Sequence, residues 1–237
     1  MSARVFPEAV PDISTIATAL ADRSRAAMCA ALMDGRAWTV GELAAYAGLA
    51  RSTASEHVSI LVGCGIAVDT RQGRHRYISL ANEDTARVIE SLGAAARSTL
   101  PTPPSLGAWT ANKRLRQGRT CYRNLAGCLG VELTARLTDC ALINPGWQLT
   151  RSREELLTAW GTPLGASRDE RLAAPCMDST ERRFHLAGPL GTAICQTLLS
   201  RRWVERLGAT RAVRLTPAGR AVLDDAGLAV VVSEPAP

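Results

Sequence analysis

Between Thr39 and Leu80 the sequence is punctuated so closely that few local folds remain open to it. Thr39-Val-Gly-Glu42 has the spacing of a capping box, in which the Thr hydroxyl and the Glu carboxylate each satisfy a backbone N–H at a helix start. Val40, Leu43, Ala44 and Ala47 then share one helical face, and Gly48 ends it. After the turn Leu49-Ala50-Arg51 a second helix is predicted from Ser52. Its apolar seam is Ala54, Val58, Leu61 and Val62, and it stops at Gly63-Cys64-Gly65. Two short helices joined by a tight turn, the second the longer, form a helix-turn-helix. Ile66–Thr70 and His75–Leu80 alternate in polarity around Arg71-Gln72-Gly73-Arg74, which reads as a β-hairpin with a basic tip. A hairpin directly after the second helix makes the unit a winged helix.

Helices are predicted on either side. Ile13, Ile16, Ala17 and Leu20 follow helical spacing, Asp22 to Met33 is apolar nearly all round, and Thr85, Val88, Ile89, Leu92 and Ala96 form one stripe of a helix over 83–96. The segment Ser98–Gly107 carries three prolines, which end a helix and stiffen a linker. The chain therefore divides into a winged helix-turn-helix for DNA binding (1–97), a Pro-rich linker (98–107) and a C-terminal regulatory domain (108–237). The expected fold class is mainly α with small β-wings (α+β), and the C-terminal domain is expected to hold two winged-helix-like repeats.

Those repeats are visible as Asn124-Leu-Ala-Gly-Cys-Leu-Gly130 against His185-Leu-Ala-Gly-Pro-Leu-Gly191, continued by Leu133/Ile194 and Leu137/Leu198. After a shift of five residues, Leu149-Thr150 meets Leu215-Thr216. In the second copy a hairpin is predicted around Gly208. Thr216-Pro217 then supplies an N-cap and a proline at the first helical position.

The formal charge of +6 is unevenly spread. Residues 1–100 hold ten Arg and ten acidic residues, so DNA binding in this half needs a local cluster. Arg71, Arg74 and Arg76, with His75 among them, supply it at the hairpin tip. On the second helix of the motif Ser52, Thr53 and Glu56 face away from the seam, flanked by His57 and Ser59, where base edges and phosphates are met. Thr53-x-x-Glu56 also fits a capping box. A second basic set (Lys113, Arg114, Arg116, Arg119, Arg182, Arg183, Arg201, Arg202) reads equally as extended DNA contact or as solvated surface.

The seven cysteines are odd in number and scattered, with no CxxC, so neither a disulfide framework nor a zinc ribbon is expected. No run of 18 apolar residues occurs and the N-terminus lacks a signal-peptide pattern, so a cytoplasmic chain with no membrane partner is expected. No nucleophile elbow, P-loop or dinucleotide motif is present; no enzyme, no cofactor and no assigned metal are expected. Cys121, Cys176 and His185 are the candidate effector residues for metal or thiol sensing, because soft metals favour thiolate and imidazole; a small organic effector, or none, stands beside that reading. The bland reading of the same cysteines is as small apolar core residues.

Ala19-Leu-Ala-Asp-Arg-Ser-Arg25, Gly41-Glu-Leu-Ala44, Ser52-Thr-Ala-Ser-Glu-His-Val58 and Gln72-Gly-Arg-His-Arg-Tyr77 resemble the ArsR-type winged-helix repressors over residues 12–97. Arg119-Thr-Cys-Tyr122 with Leu125-Ala-Gly127, and Glu181-Arg-Arg183 with His185-Leu-Ala-Gly188, resemble the C-terminal extension of a long-chain branch of that family. The resemblance implies a homodimeric repressor of double-stranded DNA with a palindromic operator, an effector still to be identified, and a dimer interface built by the first and fifth helices. There are departures. The helix Val40–Ala47 lacks the cysteine pair of metal-sensing members. Residues 83–96 hold Glu83, Asp84 and Glu90 but no His. Arg123-Asn124 stands where the branch is expected to carry Asp-His. An architectural DNA-binding protein without effector is the competing class.

Overall fold

The computed structural model describes residues 11–73, 75–101, 106–150, 154–165, 173–208 and 210–232. The N-terminal half runs α1 (Ser14–Leu20), α2 (Arg23–Leu32), β1 (Trp38–Thr39), α3 (Val40–Ala47), α4 (Arg51–Gly63), β2 (Ala67–Gln72), β3 (His75–Leu80) and α5 (Glu83–Ala95). Local chemistry sets these limits. Asp22 caps α2 through the Arg25 amide, and the Thr39–Glu42 capping box forms in both directions. Gly48 closes α3 in the left-handed region at φ 66°, a conformation that costs glycine little. Asn82 caps α5. The strands pair antiparallel in the order β1-β3-β2, with Ala67 opposite Leu80 and Gln72 opposite His75.

Met28, Leu32, Leu43, Ala54, Val58, Leu61 and Ile78 form a fully buried centre. The helix-turn-helix thus packs on α2 and the inner face of the sheet, as the apolar spacing predicts. Strand β1, too short to show a period, was not predicted. Val68, expected on the inner face with Ile66, is 42% exposed.

The helical stripes at the two ends depart further from expectation. Ile13 at the N-cap of α1 and Ile16 within it are exposed; on α5, Val88 and Leu92 are exposed while Glu90 is buried. Leu20 and Ile89, at the edges of the two stripes, pack on the N-terminal core, while Ile13, Ile16, Val88 and Leu92 stay open to solvent.

The C-terminal half runs α6 (Leu106–Gln117), β4 (Arg119–Cys121), β5 (Asn124–Ala126), α7 (Gly127–Asp139), α8 (Glu154–Ala159), β6 (Ala174–Met177), β7 (Phe184–Ala187), α9 (Gly188–Ser200), β8 (Val204–Arg206), β9 (Val213–Leu215) and α10 (Pro217–Asp225). The sequence repeat is a structural one: hairpin β4–β5 leads into α7 as hairpin β6–β7 leads into α9. Past α9 the hairpin β8–β9 forms, and Thr216 caps α10 with Pro217 at its first position, as predicted. Past α7 the same place holds only the bridge Ile143–Leu149.

The glycines of the repeat have a steric cause. A Cβ on Gly130 would strike the Leu125 carbonyl, and one on Gly191 would lie 2.8 Å from the Leu186 carbonyl, because each helix starts directly under its own strand. Gly130→Ala is expected to cost about 1–3 kcal/mol through this overpacking, read as a lower urea midpoint at unchanged slope. A midpoint equal to that of the parent chain would contradict it. Thr134 joins the copies, since its hydroxyl accepts from the Leu186 amide at 2.8 Å and donates to the Gly130 carbonyl at 2.7 Å.

Two apolar cores result. One belongs to the repeats. The other begins in the winged helix and continues through Cys121, Ala126, Cys176 and Ala187, so the hairpins of the repeats pack against the N-terminal half. Tyr122 donates its amide to the Met33 carbonyl at 2.6 Å across that junction. Among the described residues no helix is long and apolar enough to cross a membrane.

Candidate nucleic-acid interface and buried clusters

The outer face of α4 carries a polar row, with Ile60 exposed beside it. Ser52, Glu56 and Ser59 are exposed, and their spacing of four and three sets them in one row along the helix. Thr53 is half-buried beside the row. The capping box expected at Thr53 does not form. The helix begins at Arg51 with Ala50 as its N-cap and no side-chain cap, so Thr53 already lies inside the first turn. His57 turns the other way: its Nδ1 is 3.3 Å from Arg25 Nη1 and 3.8 Å from Asp22 Oδ1, against the start of α2. Of the sequence-predicted residues on this helix, the structure brings Ser52, Glu56 and Ser59 together and sets His57 apart.

In the wing, Arg71 is exposed and stands opposite Arg76. Arg76 is tied to Asp69 of the same hairpin at 2.7 Å, which offsets its charge. Arg74 lies outside the described residues, and the structure places His75 in β3 by its backbone alone. Arg71→Ala is expected to weaken binding to all DNA sequences alike and to lower the salt slope by about 1, measured by titration at several salt concentrations. An unchanged slope would remove Arg71 from the phosphate contacts.

A second cluster went unread in the sequence. Arg119 is 1% exposed, so it belongs to the core and not to a basic surface. Its Nη2 donates to Glu90 Oε1, Asp178 Oδ1 and Ser179 Oγ, each at 3.0 Å, and its Nη1 donates to Thr180 Oγ1 at 2.9 Å. Asp178 also accepts from the Gly127 amide at 2.6 Å, which places a carboxylate at the N-terminus of α7. Glu90 accepts from the Ser179 amide at 2.9 Å. Helix α5, strand β4, the β6–β7 turn and α7 therefore meet at one guanidinium. Burial, the largest single influence, would raise the Glu90 carboxyl; Arg119, Arg211 and the Ser179 hydrogen bonds together outweigh it and hold the group below the usual carboxylate range. Asp178 is depressed too, with burial opposed by Arg119 and then by the amides of Glu181 and Gly127. Both carboxylates being depressed, their contribution to stability is present at neutral pH and lost as pH falls below the usual carboxylate range.

The third cluster joins Cys121 on β4 with Cys176 and His185, which face each other across β6–β7. Their ligand atoms lie within 4.8 Å of one another, and all three residues are buried. Contact with the Cys176 thiol, and burial, push the Cys121 thiol well above its ordinary value. Burial, the largest single influence, would lower His185; Cys121, the Leu186 carbonyl and the Asp178 carboxylate together outweigh it and raise the imidazole. Asn124, opposite Cys121 in β4–β5, takes the place that His185 has in the second copy.

A helix-turn-helix with an outward polar row and a wing beside it defines a DNA-binding protein. A family model described as a helix-turn-helix domain matches residues 20–70. Over 215 residues the chain is 34% identical to the HTH-type transcriptional regulator YdfF of Bacillus subtilis (strain 168), covering 89% of this chain and 94% of that protein. Over 80 residues it is 41% identical to the HTH-type transcriptional regulator CmtR of Mycobacterium bovis, covering 34% of this chain and 67% of that one. The solved NMR structure of the cadmium metal-sensor CMTR from Mycobacterium tuberculosis aligns at 35% identity and a TM-score of 0.31, over 39% of this chain and 94% of its own. The chain belongs to the HTH-type transcriptional regulators, as a DNA-binding regulator whose winged helix carries a C-terminal extension.

Proposed function

We infer that the chain acts as a homodimeric repressor. It reads a palindromic operator with α4 and its wing, and its C-terminal repeats take an effector. The observation that carries this reading is the exposed row Ser52, Glu56 and Ser59 on the second helix of the motif, with Arg71 on the adjoining hairpin. Such a helix enters the major groove by its N-terminal half, where Ser reaches phosphate or base edge and Glu accepts from cytosine N4. Arg71, Arg74, His75 and Arg76 serve the backbone or the minor groove from the wing, with Arg76 held in place by Asp69. Thr53 supports the row from its edge. His57 acts by holding α4 on α2.

Dimerisation rests on the exposed apolar residues Ile13 at the N-cap of α1, Ile16 of α1, and Val88 and Leu92 of α5. These are the two helices that the ArsR-type resemblance assigns to the interface. A two-fold dimer also accounts for a protein that reads one half-site per chain. The winged helix 1–97 and the repeats from 108 act as two functional units joined through 98–107. The chain works as a cytoplasmic regulator without catalysis. The test is a reporter gene behind a promoter carrying the bound sequence. Repression predicts that expressing the chain lowers transcription and that the complex holds two chains per duplex. Raised transcription would make it an activator. Footprints spread over unrelated sequences would make it architectural.

A further inference from the structure

We propose that Cys121, Cys176 and His185 form a binding site for a soft divalent cation of the zinc–cadmium class, located where the two repeats meet the winged helix. Several observations converge on it. The three ligand atoms come from different strands, β4, β6 and β7, and still lie within 4.8 Å of one another. Around a metal with bonds of about 2.3 Å to sulfur and about 2.1 Å to nitrogen, tetrahedral ligand atoms stand about 3.6–3.8 Å apart. The site therefore closes with shifts of about 1 Å or less.

The imidazole is held as a metal ligand is held. His185 is fully buried and its Nδ1 lies 3.2 Å from the Leu186 carbonyl. A proton on Nδ1 donated to that carbonyl leaves the lone pair on Nε2, the usual orientation device of a ligating histidine. Nε2 itself has no hydrogen-bond partner. A buried ring nitrogen without a partner is costly unless something fills its place. Two thiols and one imidazole are a soft donor set. Asn124 stands where a second imidazole would complete the pseudo-symmetric set, and it bonds Thr192 Oγ1 at 3.3 Å. The site thus offers three protein ligands and one open position, which water can take.

Its place gives it leverage. Strand β4 ends at Cys121, and the next residue, Tyr122, is bonded to the Met33 carbonyl at the end of α2. Asp178, two residues past Cys176, meets Glu90 of α5 through Arg119. Ligation draws β4 against β6–β7 and so bears on the helix carrying the exposed stripe of Val88 and Leu92. This consequence rests on the repressor reading above; the binding site does not.

The test uses the full chain, reduced and stripped with chelator, then titrated with cadmium chloride alone. One cation per chain is expected, with a thiolate-to-cadmium absorption band and a first shell of two sulfurs and one imidazole nitrogen by X-ray absorption. Cys176→Ala and His185→Gln should each lower affinity at least tenfold. The wild-type stoichiometry and shell decide the matter if a variant fails to fold. No uptake by the wild-type chain, a shell of oxygens, or undiminished binding in both folded variants would overturn the site. So would refusal of metal by the reduced chain alongside a ready Cys121–Cys176 disulfide. Operator affinity measured on the same samples should change about 5–150-fold on loading. Metal bound with operator affinity unchanged overturns the regulatory role alone. Absence of operator binding with or without metal overturns the repressor reading and leaves the metal site standing.

Discussion

Arg119→Met is expected to lower the stability of the chain by about 3–5 kcal/mol, the largest loss of any single substitution considered. Arg119 is buried with Glu90 and Asp178, both at 3.0 Å. Removing the guanidinium leaves Asp178 buried without its partner and Glu90 with Arg211 as its remaining cation, and breaking such a group costs far more than the group adds over an apolar one. The expected readout is a urea midpoint that falls steeply at neutral pH. It should recover partly toward acid pH, where the stranded carboxylates take up protons. The triple change of Arg119→Met, Glu90→Leu and Asp178→Asn should recover much of the loss, because it removes the charges together. A midpoint within 1 kcal/mol of the parent for Arg119→Met alone would show that the cluster is solvated.

Val88→Glu with Leu92→Glu is expected to give a monomer that folds and loses operator binding. Both residues are exposed in the single chain, so the change costs the fold little, with Ala86 and Glu90 carrying the buried face of α5. A two-fold interface through this stripe brings the new carboxylates of both chains together, and like charges repel. Loss of the second half-site removes the gain from effective concentration, about 10²–10⁴ in affinity. Sedimentation should report one chain per particle, and the operator titration should move by that factor. A dimer retained in the double variant would place the interface elsewhere.

What the sequence showed and what it hid have separate physical causes. The Thr39–Glu42 capping box, the stop at Gly48 and the seam Ala54, Val58, Leu61 are local, and they set α3 and α4 within a residue or so of expectation. The repeat was legible because Gly130 and Gly191 are held by close contact with a carbonyl, which a sequence match preserves. The periodicity of α1 and α5 was read correctly, but it cannot say which surface an apolar stripe meets. Only one edge of each stripe, Leu20 on α1 and Ile89 on α5, packs on the core, and on α5 Glu90 faces inward.

Arg119 went unrecognised because its partners lie 29 and 59 residues away, and a lone arginine beside basic neighbours reads as surface. A trace was present: Ala86 and Gly93 flank Glu90 on the α5 face that packs against Ser179, a small-residue setting for one carboxylate. The thiol cluster was half legible. Its three residues could be named from donor chemistry, but only the pairing of β6 with β7, beside β4, brings them together.

The most direct measurement of the central claim is selection of bound duplexes from a random pool by the full chain, repeated with Ser52→Ala and Glu56→Ala. Enrichment of a palindrome with half-sites about one helical turn apart is expected, together with altered base preference in the variants at positions the α4 row reaches. A pool that stays random, or a palindrome whose sequence is untouched by both substitutions, would contradict recognition through α4.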